Sequence, residues 1–167
     1  PGLIYDQNGN LVVQQLIQHA LAGRPAQEKA RFYERFIKED IIAMCKHQYA
    51  AHVIVNLFDV LDAQLVADMS AKLRPEVMQL IQHVNGRFVV DKLVGPFKDI
   101  RDIVINRFVD LSTIKGTQHV LVRTYEVSDK KARAQIVRSI LPSALTMATN
   151  QQSSLVLQKL IQNSKSG

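Results

Sequence analysis

The segment Cys45-Lys46-His47 is where the residue types most directly suggest covalent chemistry. A thiol beside a lysine and a histidine is a candidate nucleophile, because nearby positive charge lowers the pKa of a thiol. The sequence offers no identifiable carboxylate to orient the histidine and no oxyanion donor, and Cys45 lies in an apolar stretch. The segment therefore predicts a buried, unreactive thiol.

The other candidate residues lack the spacing of known metal-binding, phosphate-binding or acid–base catalytic sites. The five histidines lack the spacing of metal ligands. The segment Gly95-Pro96-Phe97-Lys98 lacks the Gly-Lys-Ser/Thr ending of a phosphate-binding loop. The acidic residues are predicted to be solvated rather than paired for catalysis: Glu28, Glu34, Glu39 and Asp40. We therefore expect no catalytic site, no metal site and no cofactor.

One five-residue pattern, here called the pentad, recurs along the chain. It follows a small or polar residue and combines an apolar run with a polar residue near its end. The pentads begin at Asn10, Ala51, Arg87, Thr117 and Ser154. Their spacings of 41, 36, 30 and 37 residues average 36, which is typical of helical repeat proteins. The uneven spacing predicts insertions and deletions in loops, which a repeat array tolerates.

Apolar residues three and four apart predict that each pentad opens a helix, as in the series Val53, Leu57, Val60 and Leu61. These helices are expected near residues 9–22, 50–61, 86–94, 116–126 and 153–162. A second helix is expected over residues 25–37, 63–73, 97–108 and 128–141. A shorter third helix is expected over residues 40–45, 75–82, 109–114 and 142–148. Because none of these helices can bury its apolar face alone, the sequence predicts stacked helical repeats.

Composition fits an intracellular domain with a polyanionic partner. Hydrophobic residues make up 47% of the 167 residues, and the formal net charge is +6. This charge suits nucleic acid or an anionic surface. A lone cysteine favours a reducing compartment, and no apolar run reaches the length of a membrane span. The chain does not begin with Met, so we expect residues 1–167 to be one repeat array within a longer protein.

A three-helix unit of about 36 residues whose pentad helix starts in a Gly-x-x-Val-Val-Gln-like pattern resembles the Pumilio (PUF) repeat. The resemblance covers about four and a half repeats, nearly the whole chain. HEAT and armadillo repeats lack this recurring element. The resemblance implies an all-α, right-handed α-solenoid that binds single-stranded or structured RNA and has no enzymatic activity.

In this family the first and fifth pentad residues contact a base edge, and the second residue stacks between bases. Asn10, Leu11 and Gln14 therefore resemble a uracil-reading combination. Ser154 and Gln158, with Leu155 between them, resemble an adenine-reading combination. On this resemblance the two terminal repeats keep their base-reading residues.

The three central pentads depart from the reading combinations. Their first, second and fifth residues are Ala51, His52 and Val55; Arg87, Phe88 and Asp91; and Thr117, Gln118 and Leu121. His52 and Phe88 keep a side chain that can stack on a base. The resemblance therefore implies that the central repeats contact RNA without a complete base code.

This loss of code resembles the divergent nucleolar, Puf-A-like branch of the family. That branch implies ribosome biogenesis, with pre-ribosomal RNA and ribosome-assembly proteins as partners and the nucleolus or nucleus as location; the alternative location is the cytoplasm. Affinity would then come from cations on phosphates. The candidate cations are Arg87, Lys92, Lys115, Arg123 and Lys159.

Two other functions stay open at the level of sequence. The chain could be a protein-interaction scaffold within a ribonucleoprotein particle, since Val55 and Leu121 suggest an apolar surface. It could also be a sequence-specific regulator of messenger RNA 3′ untranslated regions, which requires more complete reading pairs than the central repeats offer.

Overall fold

The structure is a computed structural model that describes residues 2–164, and within that range it consists of helices and connecting turns, without β-strands. The chain folds into two compact units, one ending at Lys92 and the other beginning at Leu93. Each unit contains short helices, pentad helices and longer outer helices in the same repeating order.

The first unit contains seven helices and most of an eighth among the described residues. They are α1 (Gly2–Tyr5), α2 (Gly9–Leu16), α3 (Ala26–Phe36), α4 (Ile41–Lys46), α5 (Ala50–Val60), α6 (Ala63–Leu73), α7 (Val77–Gln82) and α8 (Gly86–Val94), whose end lies beyond the boundary. The pentad helices here are α2, α5 and α8. A 3-10 turn, Arg74–Glu76, precedes α7.

The second unit contains six further helices in its described part. They are α9 (Lys98–Asn106), α10 (Phe108–Ser112), α11 (Gln118–Glu126), α12 (Lys130–Ile140), α13 (Ala144–Thr149) and α14 (Gln151–Ser164). Its pentad helices are α11 and α14, and a 3-10 turn, Leu141–Ser143, links α12 to α13.

The first pentad helix changes its winding before it ends. The sequence predicts one helix over residues 9–22, whereas α2 stops at Leu16 and continues as a π-helix over Ile17–Leu21. There the backbone N–H of Ala22 donates to the carbonyl of Ile17, five residues earlier, over 3.1 Å. π-Helical turns are rare in globular proteins and often lie at functional sites.

In the first unit, buried polar contacts join α3 to α6. Tyr33 is fully buried, and its hydroxyl donates to Asp68 Oδ2 over 2.8 Å. Burial and this hydrogen bond to a carboxylate raise the pKa of Tyr33, so it remains a neutral donor. Beside it, Lys29 Nζ lies 3.3 Å from Asp62 Oδ1. These contacts set the register of the two outer helices against each other.

Apolar burial stabilises the pentad helices. Ile54 and Leu57 of α5 and Val120 and Leu121 of α11 are fully buried. Complete burial of a side chain of this size is worth about 1.5–3 kcal/mol. The remaining faces of these helices carry the pentad residues that the sequence singles out.

Candidate RNA-binding surface

The residue immediately before each pentad, here called the anchor residue, is buried in all five repeats. The anchor residues are Gly9, Ala50, Gly86, Thr117 and Ser153. A Cβ on Gly9 would lie 2.6 Å from the carbonyl oxygen of Leu3, and one on Gly86 would lie 2.7 Å from that of Leu80. The anchor position therefore sits against the carbonyl six residues earlier.

Thr117 and Ser153 use the same carbonyl contact in a different way. The hydroxyl of Thr117 donates to the carbonyl of Leu111 over 2.7 Å, and that of Ser153 donates to Met147 over 2.9 Å. Each of these carbonyls again belongs to the residue six positions earlier. Thr117 is therefore the anchor of the fourth repeat, not the first residue of its pentad.

This register corrects the fourth pentad. Its first, second and fifth residues are Gln118, His119 and Val122, whereas Thr117 and Leu121 are fully buried. With this shift the pentads are spaced by 41, 36, 31 and 36 residues. The sequence does not single out His119, because Gly116 resembles the anchor glycines Gly9 and Gly86 but lies one residue before the true anchor, Thr117. The apolar pair Val120-Leu121, aligned with Val89-Val90, is the signal that indicates the correct register.

The second pentad residue is exposed in every repeat. Leu11, Phe88 and Leu155 are 58%, 48% and 47% exposed, and His52 and His119 are also exposed. Large apolar side chains are usually buried, so three of them exposed at equivalent positions require an explanation. The two units thus each present a row of flat or apolar side chains on their pentad helices.

The predicted uracil-reading pair lies within an internal network of amide groups. Asn10 is only 3% exposed, and its Nδ2 donates to the carbonyls of Asp6 and Gln7 over 2.9 and 2.6 Å. Its Oδ1 accepts from Gln14 Nε2 over 2.7 Å. Gln14 Oε1 in turn accepts from Asn56 Nδ2 over 2.7 Å. Asn10 therefore acts as a structural residue at the start of α2.

The edge positions of the second and third repeats are also occupied by protein contacts. Ala51 is 2% exposed, and Val55 is half-buried. Arg87 Nε donates to the carbonyl of His83 over 3.1 Å, and its Nη2 donates to that of Gln82 over 3.4 Å. Asp91 is half-buried. These positions therefore serve the packing of the repeats more than they serve a base edge.

The second unit offers a more open amide surface. A groove of about 340 Å³ is lined by Gln118, Leu155, Gln158, Lys159 and Gln162. Gln118 Nε2 donates a hydrogen bond to Gln152 Oε1 over 2.7 Å. Gln158 is exposed, and Ser154 is half-buried with its hydroxyl donating to the carbonyl of Gln151. The predicted adenine-reading pair is thus more accessible than the uracil-reading one.

The candidate cations differ in how far they are engaged. Lys92 Nζ lies 3.0 Å from Asp59 Oδ2, so part of its charge is neutralised. Lys115 is exposed. Arg123 and Lys159 are exposed on α11 and α14 and form no ion pair with the described residues. They are the cations in this set best placed to contact phosphate. The RNA-contacting roles of all the candidate residues remain predictions.

The structure buries the cysteine, as the sequence predicts. Cys45 is fully buried, and burial raises the pKa of its thiol to about 12. Among the described residues no group of His, Cys, Asp and Glu side chains is arranged to hold a metal ion. Over residues 2–164, no helix has the length and apolar character needed to span a bilayer.

Repeated three-helix units with an anchored pentad helix define this chain as a helical repeat protein, and comparison with known proteins shows which repeat proteins it is similar to. A model of the Pumilio-family RNA-binding repeat matches residues 3–22 and 143–166, which contain the first and last pentads. A Pumilio domain-containing protein of Schizosaccharomyces pombe is 23% identical over 96% of this chain.

Solved structures of Puf proteins are similar in fold to this chain over nearly its whole length. The chain is similar to the Puf4 RNA-binding domain bound to a 3′ UTR recognition sequence, with a TM-score of 0.85 over 97% of this chain at 17% identity. It is similar to PUF-8 in complex with RNA, with a TM-score of 0.82 over 96% of this chain at 21% identity. The chain is similar to the Pumilio repeat family, as its recurring pentads predict, and the predicted all-α repeat fold is confirmed.

The chain is shorter than the proteins that it matches. It spans 24% of the length of the fission yeast relative, 50% of the Puf4 domain and 47% of PUF-8.

Proposed function

We propose that this chain binds single-stranded RNA along its pentad helices with little base specificity. The observation that carries this proposal is the contrast between the first two pentad positions. The second residue is exposed in all five repeats, whereas Asn10 and Ala51, at the first position, are 3% and 2% exposed. In these two repeats a side chain can stack on a base while the first pentad residue cannot reach the base edge, so they bind RNA without reading it.

Stacking tolerates any base, because every base has a π-face. Base stacking on a protein side chain contributes about 1–3 kcal/mol per base when the side chain is aromatic. Phe88 offers the largest ring, and His52 and His119 offer flat polar rings. Leu11 and Leu155 offer apolar contact to the same faces. These contacts supply affinity in proportion to the number of bases bound, not to their sequence.

Phosphate contacts supply the remaining affinity. Arg123 and Lys159 are exposed on the pentad helices of the second unit, and the chain carries a net charge of +6. Each phosphate neutralised on a single strand lowers the salt exponent of binding by about 0.7. The proposal therefore requires binding that weakens steeply with salt.

The incomplete base code favours a role in ribosome biogenesis, on pre-ribosomal RNA in the nucleolus or nucleus. Low base specificity suits a protein that holds a large structured RNA during assembly, because neighbouring proteins can then determine where on the RNA it binds. Ribosome-assembly proteins are the expected further partners. The scaffold alternative loses part of its basis, because Leu121 is fully buried and contributes no apolar surface.

Regulation of messenger RNA 3′ untranslated regions is the second candidate. It is favoured by the accessible pair Ser154 and Gln158 and by the 3′ UTR sequence bound to the similar Puf4 domain. One readable pair selects at most one base, so this candidate requires additional reading repeats outside residues 1–167.

The test is fluorescence anisotropy with a random single-stranded RNA pool, a matched DNA pool and a duplex RNA, each across a salt series. We expect the RNA pool to bind with steep salt dependence, and sequencing of the bound fraction to show no enriched motif. An enriched motif of several bases would support the 3′ UTR candidate. Absence of binding to the RNA pool at low salt refutes the proposal for this chain.

A further inference from the structure

Three of the candidate cations occupy the same position of their pentad helices. Counted from the first pentad residue, the sixth residue is Lys92 in the third repeat, Arg123 in the fourth and Lys159 in the fifth. The sixth residue of the second repeat, Asn56, is neutral. Cations that recur at one register position of a repeat are suited to contact the phosphates of a single strand.

In the first unit the ninth residue of a pentad helix contacts the sixth residue of the next repeat. Gln18, the ninth residue of the first repeat, donates from Nε2 to Asn56 Oδ1 over 3.4 Å. Asp59, the ninth residue of the second repeat, accepts from Lys92 Nζ at both carboxylate oxygens, over 3.1 and 3.0 Å. The fold of this unit therefore supplies each sixth residue with a partner from the preceding helix, and for Lys92 that partner is an acid.

The pair of Asp59 and Lys92 bears on what else Lys92 can bind. The Lys92 and Asp59 side chains are 38% and 64% exposed, and an exposed ion pair of this kind contributes little to folding. The carboxylate is held beside the lysine by the fold, which gives it a high effective concentration against an RNA phosphate. Its negative charge also repels that phosphate. Lys92 is therefore less available to RNA than its position on α8 suggests.

The sixth residues of the second unit are not held in this way. Lys159 follows a repeat whose ninth residue is Glu126, and Glu126 Oε1 accepts from Asn163 Nδ2 over 2.8 Å. Arg123 follows a repeat whose ninth residue is Gly95, which has no side chain to offer. Within residues 2–164 neither Arg123 nor Lys159 forms an ion pair. The ninth residue thus distinguishes the held cation from the two available ones.

We infer that Asp59 is an internal competitor for RNA phosphate: it holds Lys92 and so limits the phosphate contacts of the sixth position to Arg123 and Lys159. The inference rests on the proposed RNA binding and adds which repeats contact the RNA backbone. Two such contacts give a salt exponent of about 1.4 from this position, against about 2.1 if Lys92 also contacted a phosphate. Asp59 is a positioning residue, because it acts through Lys92.

The experiment measures fluorescence anisotropy of the random single-stranded RNA pool with the full chain across a salt series. Asp59→Asn removes the charge and keeps the shape of the side chain. We expect its slope of log affinity against log salt to be steeper than the native slope by about 0.7, and its affinity in about 50 mM salt to be three- to tenfold higher. Asp59→Glu keeps a carboxylate and is expected to keep the native slope.

Two further variants show whether Asp59 acts through Lys92. Lys92→Met should leave the native slope unchanged, because Lys92 is held by Asp59, but it should remove the gained slope when combined with Asp59→Asn. Glu39→Gln is the matched control, since Glu39 is an exposed acid of the same unit outside the pentad helices. It should leave the slope unchanged. Circular dichroism establishes that each variant keeps its helix content and melting temperature.

The possible failures are distinguishable. If the native chain binds RNA but Asp59→Asn leaves the slope unchanged, the inference is wrong and the proposed RNA binding stands. A gained slope that persists after Lys92→Met is added also overturns the inference, because Asp59 would then repel RNA directly. An equal gain in Glu39→Gln would assign the effect to net charge and overturn it as well. Absence of RNA binding by the native chain at low salt refutes the proposed function, and this inference with it.

Discussion

Replacing Asn10 by alanine distinguishes a structural residue from a base-reading one. The Asn10 side chain makes three hydrogen bonds in a site that is 3% exposed, two as donor to the carbonyls of Asp6 and Gln7 and one as acceptor from Gln14. A hydrogen bond of this kind contributes about 0.5–1.5 kcal/mol net. The carbonyl of Asp6 keeps its bond from the backbone N–H of Asn10, and Gln7 is exposed to water.

The expected loss for Asn10→Ala is therefore about 2 kcal/mol of unfolding free energy, in the lower half of the range for three full bonds. For a chain of this size that corresponds to a fall in melting temperature of about 4–8 °C. Urea unfolding followed by circular dichroism measures the free energy, and a thermal scan measures the midpoint. Asn8→Ala is the matched control, because Asn8 is exposed and its side chain makes no capping bond.

RNA binding by Asn10→Ala tests whether Asn10 reads a base. We expect the ratio of affinities for uridine and adenosine homopolymers of about ten nucleotides to be the same for Asn10→Ala and the native chain, since a buried amide cannot discriminate bases. An unchanged melting temperature together with a lost preference for uridine would refute this reasoning and restore Asn10 as a reader.

Four further results are expected. Phe88→Ala should weaken RNA binding by about 5- to 150-fold, the equivalent of 1–3 kcal/mol of stacking; Val137→Ala, another exposed apolar truncation, should leave anisotropy titrations unchanged. Arg123→Ala with Lys159→Ala should reduce the slope of log affinity against log salt by about 1.4, because two phosphate contacts are lost; an unchanged slope contradicts their role. Burial raises the pKa of the Cys45 thiol from its ordinary value of 9.0 to about 12, so the thiol should resist alkylation at pH 8 until urea unfolds the protein. Because the folded pKa is the higher one, the contribution of the neutral thiol to stability is complete below about pH 9 and is lost as the pH rises toward 12. Urea midpoints of the native chain and Cys45→Ala should therefore converge across this range, whereas parallel curves would show that the thiol is already exposed to solvent in the folded chain.

Much of the fold follows from sequence because it depends on local, periodic features. Apolar spacing predicts the helices, and the recurring pentads predict the repeats and the Pumilio resemblance. The anchor contacts explain why the pentad is so recognisable. Gly9 and Gly86 leave no room for a side chain, and the side chains of Asp6 and Asn150 accept hydrogen bonds from the N–H groups of the residues two and three positions later. Such short-range requirements leave a trace in a single sequence.

The sequence by itself determined that this chain is an all-helical repeat array with a basic balance, and that its repeats resemble Pumilio repeats. Only the tertiary structure decided which pentad residues are available to a ligand. Asn10 has the residue type of a base reader, yet Asp6, Gln7 and Gln14 engage both its amide nitrogen and its amide oxygen. From sequence, Thr117 is predicted to be the first residue of the fourth pentad. In the structure its hydroxyl donates to the carbonyl of Leu111, which makes it the anchor residue instead. Residue type is local, whereas exposure and hydrogen-bond satisfaction depend on every neighbour that packing brings into contact.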